Sequence, residues 1–154
     1  MNSSCNSQVT ISCLQELYNA VGYKPHGFKK GNKIGVTGYL GEFANIADLQ
    51  GFYGEQVPAA VNSSFDIISV NGSFSFLNPT NVNLGFLGGQ NLQNLSQAGP
   101  EADLDVQFAF GLTFPTPGTF WTTGGSPPFI TDEHTPTDSN EPYTSVSLVS
   151  IVSR

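Results

Sequence analysis

The sequence predicts an α/β fold, a parallel sheet with flanking helices, and three observations carry that reading. Apolar segments of extended and helical period succeed one another as strand, helix, strand, and then again as helix and strand. Gly and Pro punctuate the junctions between them. With 154 residues, 38% of them hydrophobic, the chain is long enough to bury one core, and no internal repeat or linker divides it.

The elements follow in order. Over residues 12–22, Leu14, Leu17, Tyr18 and Val21 fall at i, i+3, i+4 and i+7, which predicts a helix stopped by Gly22. Residues 23–32 are basic and broken by glycine, hence an exposed loop, and residues 33–40 read as a strand running into a turn. A second helix is expected over residues 43–53, where Phe43, Ile46, Ala47, Leu49 and Phe52 keep a helical period. The short β-branched run at residues 65–70, closed by Asn71-Gly72, predicts a strand. Residues 73–99, rich in Asn, Gly and Gln, read as a long loop or insertion. Gly99-Pro100 opens a helix over residues 101–112, because proline is tolerated in a first turn. Residues 119–123 form the next strand and residues 124–129 the turn after it. Phe120, Trp121 and Phe129 are expected to pack in a core rather than form a ligand shelf.

Charge narrows the function classes. Only 11% of residues are charged and the net charge is −7. Lys24, Lys29, Lys30 and Lys33 form one cluster, and the next basic residue is Arg154. A chain that is purely acidic from residue 34 to residue 153 offers nothing to phosphates or anionic membranes, so nucleic-acid partners and phosphate-clamping chemistry are excluded. No apolar run approaches the roughly 18 residues of a spanning helix, and the start lacks the basic head and apolar core of a secretory signal. Asn-x-Ser sequons stand at Asn2, Asn62, Asn71 and Asn94, a motif short enough to recur by chance in a chain rich in Asn and Ser. Cys5 and Cys13 are close enough to close a small loop as a disulfide, with free thiols the alternative, and no Cys/His cluster supports zinc.

Glu101 and Asp105, four apart on a predicted helix, project from one face about a turn apart, while Asp103 points away. One reading is structural: acids near a helix N-terminus gain roughly 0.3–1 kcal/mol each from the helix dipole. The other is chemical. Two carboxyls within reach split their pKa values, leaving one protonated and one ionised, as a general base working in acid requires. His26 and His134 read as loop residues, since no Ser/His/Asp arrangement supports either.

Seven words of sequence stand around this pair in order. They are Cys13-Leu14-x-x-Leu17-Tyr18, Ile34-Gly35-Val36-x-Gly38-Tyr39-Leu40, Ala44-Asn45-x-Ala47-Asp48-Leu49-Gln50-x-Phe52, Glu101-Ala102-x-Leu104-Asp105-Val106-Gln107, Phe114-Pro115-Thr116-Pro117, Thr123-Gly124-Gly125-Ser126-Pro127-Pro128-Phe129 and Asn140-Glu141-Pro142-Tyr143. Together they resemble the sedolisin, or serine-carboxyl peptidase, family, most of all its fungal secreted tripeptidyl-peptidases and aorsin-like members. The resemblance implies a partial subtilisin-like fold, incomplete at its C-terminal side, and peptide-bond hydrolysis at acidic pH through a Ser-Glu-Asp relay. It makes Glu101 the general base and Asp105 the carboxyl that orients and tunes it. It implies a peptide or protein substrate, no obligate partner, and an extracellular or acidic compartment.

The same resemblance marks what the chain lacks. The family's nucleophile sits in a Gly-Thr-Ser motif, a further Asp forms the oxyanion hole, and calcium binds near the C-terminus; no Gly-Thr-Ser occurs here, and Gly118-Thr119-Phe120 is the nearest string. No cofactor is expected in this chain, calcium belonging only to the full-length domain. Residues 1–143 are read as the N-terminal portion of a catalytic domain and residues 144–154, where Ser alternates with β-branched residues, as a divergent strand-like tail. Such a portion is expected to be inactive alone, and to associate or be marginally stable. Two rivals remain. Gly35-Val36-Thr37-Gly38-Tyr39-Leu40-Gly41 matches a dinucleotide-binding turn, but only Ile34 precedes it as a buried strand should, and no Lys follows Lys33 for a Tyr-x-x-x-Lys pair. A non-catalytic secreted binding fragment is the other.

Overall fold

The computed structural model describes residues 3–71, 91–125, 129–134, 141 and 143. Three parallel strands, β1 (Ile34–Gly38), β2 (Phe65–Val70) and β3 (Gly118–Thr123), form one sheet in the order β1-β3-β2. The parallel sheet expected from the succession of elements is present, with the last strand entering between the first two. Its register sets Val36 and Ile67 either side of Phe120. Alternation then puts Ile34, Val36, Phe65 and Phe120 on one face. Gly38 is on that face too, and its missing side chain leaves room for the Phe120 ring.

Two helices, α2 (Ile46–Gln56) and α3 (Pro100–Thr113), pack on each other and on this face. In α3, Ala102, Val106 and Phe110 recur every four residues and are buried against Leu49 and Tyr53 of α2. The Phe110, Phe65 and Phe120 rings meet in succession at 5.6 and 6.1 Å between centroids. Each fully buried large side chain contributes roughly 1.5–3 kcal/mol. The C-terminal ends of β2 and β3 are tied where Asn71 Nδ2 donates to the Gly124 carbonyl (3.1 Å) and Gly124 N–H to that of Val70 (2.9 Å).

The N-terminal helix departs from expectation. It runs over α1 (Ile11–Leu17), starts on Thr10, whose hydroxyl accepts from Cys13 N–H (3.2 Å), and stops at Tyr18, well before Gly22. Ile11 and Cys13 are buried, whereas Leu17, Tyr18 and Val21 stand exposed. Asn19 takes the left-handed conformation, which a helix cannot continue through. Cys5 and Cys13 are joined in a disulfide. The second helix starts three residues later than its periodicity suggests, because Asn45 caps it: its Oδ1 accepts from Ala47 N–H (2.8 Å) and Asp48 N–H (3.3 Å). It ends at Gln56, before Val57-Pro58. Much of the loop expected over residues 73–99, part of the turn at residues 124–129, and the strand-like tail lie outside the described residues.

Between β1 and α2 the chain is clamped to the start of α3. Gly99 N–H donates to the Phe43 carbonyl (2.9 Å), Phe43 and Ala98 form a parallel bridge, and Asn45 N–H donates to Asp103 Oδ1 (2.6 Å). Gln93 joins them: its Oε1 accepts from Ile46 N–H (2.9 Å) and its Nε2 donates to the Ala44 carbonyl (3.0 Å). Burial raises the Asp103 carboxyl above its ordinary range; the Asn45 N–H opposes this, while Asp48, which shares a hydrogen bond with it, and the Glu42 charge add to it.

Two outcomes follow. Leu49→Ala, emptying a fully buried site, should lower unfolding free energy by about 2–5 kcal/mol in chemical denaturation. Because the folded Asp103 binds its proton more tightly than the unfolded one, its contribution to stability is complete below the unfolded carboxyl range and lost as pH rises through the raised value. Melting temperature should therefore fall less between acid and neutral pH in Asp103→Asn than in the parent chain; equal slopes would refute the assignment.

Candidate active site

The sequence demands a remote partner for the first turn of α3. Its N-cap is Gly99, which has no side chain, and Pro100 lacks an N–H. A Cβ at Gly99 would lie 2.9 Å from the Glu42 Cα, so no capping side chain fits there. Instead Glu42 Oε2 accepts from Glu101 N–H (3.2 Å) and Ala102 N–H (3.4 Å). An anion at a helix N-terminus contributes roughly 0.3–1 kcal/mol.

Glu101 and Asp105 line one hollow of about 130 Å³ at the carboxyl end of β1. Thr37 to Leu40 form one wall, and Glu42 and Glu141 complete a set of four carboxyl groups. Among the described residues no Lys, Arg or His lines it. Asp103 bonds Asn45 instead, so the helical spacing separates these acids as expected.

Sequence reasoning missed Glu42 and Glu141. Glu42 stands 59 residues from the helix it caps, and the one available signal was a helix opening on Gly-Pro with no side chain to cap it. Glu141 lies in the Asn140-Glu141-Pro142-Tyr143 word, and the Tyr143 ring meets that of Tyr39 edge-on at 5.1 Å beside the hollow.

Asp105 also borders an open groove of about 870 Å³, otherwise lined mostly by apolar side chains such as Val9, Leu14, Leu104 and Phe108. A third hollow, about 490 Å³, holds Lys24 and His26 near the C-terminal ends of α2 and α3, away from the acids. His134 is exposed, its N–H bonded to Asp132. Among the described residues no cluster of three His, Cys, Asp or Glu side chains is placed to hold a metal, and no helix is long and apolar enough to cross a membrane. Phe120 lies wholly in the core.

Comparison with known proteins agrees with the words read from the sequence. The chain is 37% identical over 146 residues to tripeptidyl-peptidase sed4 of Aspergillus fumigatus, covering 92% of this chain and 21% of that protein. It is 33% identical over 144 residues to the probable tripeptidyl-peptidase SED2 of Arthroderma benhamiae and to tripeptidyl-peptidase SED2 of Arthroderma otae, with 92% of this chain and 21% of each relative covered. No family model and no solved structure matches. The resemblance therefore holds: over 92% of its length this chain is similar to fungal tripeptidyl-peptidases, and it spans about a fifth of their length.

Proposed function

We propose that residues 1–143 are the N-terminal portion of a serine-carboxyl peptidase catalytic domain of subtilisin-like fold, residues 144–154 being a divergent tail. The observation that carries this reading is the convergence of Glu101 and Asp105 on one acid-lined hollow at the carboxyl end of a parallel strand. Ligands of parallel α/β sheets bind in that position. The relatives' names favour release of tripeptides over internal cleavage. The disulfide supports an oxidising, extracellular setting.

In this reading a serine hydroxyl from outside these 154 residues attacks the scissile carbonyl carbon. Glu101 takes the serine proton and then gives it to the departing amine, and Asp105 orients and tunes Glu101. A histidine would be protonated and useless as a base in acid, whereas a carboxylate can still take a serine proton there. The sequence holds no Gly-Thr-Ser nucleophile motif, so the chain by itself does not turn over substrate.

The test has two arms. Sequencing the transcript past the codon for Tyr143 should reveal an in-frame continuation carrying an Asp and a Gly-Thr-Ser motif. In the protein so encoded, Glu101→Gln or Asp105→Asn should abolish hydrolysis of a chromogenic tripeptide substrate at acidic pH while leaving circular dichroism unchanged. Retained activity in either variant removes the catalytic assignment.

A further inference from the structure

We infer that Glu42 is a positioning residue for this site: its carboxylate, reaching from the loop between β1 and α2, holds the first turn of α3 and with it Glu101. The inference rests on the reading of Glu101 and Asp105 as the working pair. Three observations meet in it. The N-cap glycine cannot carry a side chain, because a Cβ would press on the Glu42 backbone. With no N–H on Pro100 and Asp103 N–H bonded to the Gly99 carbonyl (2.9 Å), Glu101 and Ala102 N–H are the donors left at this end of the helix. Both go to the same oxygen, Glu42 Oε2.

The consequence for the pair is unequal. Glu101 is the second residue of α3 and its own N–H is held by Glu42, so fraying of the first turn moves it directly. Asp105 lies a full turn further in, next to the buried Val106, and stays with the core. Loss of Glu42 therefore changes the place of Glu101 relative to Asp105. Substrate contacts elsewhere remain, so turnover suffers and binding does not. Glutamine keeps an oxygen that can accept both N–H groups and loses only the charge, whereas alanine loses the contact.

The experiment is kinetic, on the full-length peptidase with a chromogenic tripeptide substrate. Glu42→Ala should lower kcat about 10- to 100-fold with KM unchanged, the scale on which small displacements of reacting groups act. Glu42→Gln should recover most of it. Amide hydrogen exchange in the 154-residue chain should show Glu101 and Ala102 N–H deprotected in Glu42→Ala and protected in Glu42→Gln. Wild-type kcat in Glu42→Ala beside an inactive Glu101→Gln overturns the positioning role and leaves the proposed function standing. Glu42→Gln as slow as Glu42→Ala, or unaltered exchange at both amides, overturns it also. A fully active Glu101→Gln removes the function and the positioning role together.

Discussion

The structure turns on the clamp between the loop after β1 and the start of α3. A helix that opens on Gly-Pro has no side chain at its own N-cap to satisfy its first donors. Glu42 answers that need from one side. Asp103 answers the reciprocal need of Asn45, and Phe43 pairs with Gly99 across the same seam. The two segments thus fix each other, and the hollow between them exists because they do.

The clamp is built from acids, and this gives the site its electrostatic character. Asp48 and Asp103 share a hydrogen bond with the Glu42 charge nearby, while Glu42 also joins Glu101, Asp105 and Glu141 in the adjoining hollow. Among the described residues no basic side chain lines that hollow. Of these acids it is Asp103 whose carboxyl burial raises above its ordinary range.

Much of the sheet and of α3 was legible because their signals are local. The run from Phe65 to Val70 carries β-branched residues and ends on an asparagine that takes the left-handed conformation, so its limits coincide with the observed strand. In α3 the Gly-Pro opening and the run that follows it mark start and length to within a residue. The first helix was overread because Leu17, Tyr18 and Val21 have a helical period without a surface to bury them. Periodicity states what a helix could bury; packing decides whether it forms.

Taken by itself, the sequence determined the class of fold, the strands, the helix bearing Glu101 and Asp105, and the kinship of the chain, because each depends on neighbours a few residues apart or on words preserved in order. Tertiary structure alone decided the order of the strands and the arrival of Glu42 and Glu141 beside the pair. Those contacts join residues far apart in the chain. Their free energy comes from donors and apolar faces that find their partners only when the sheet has closed around β3.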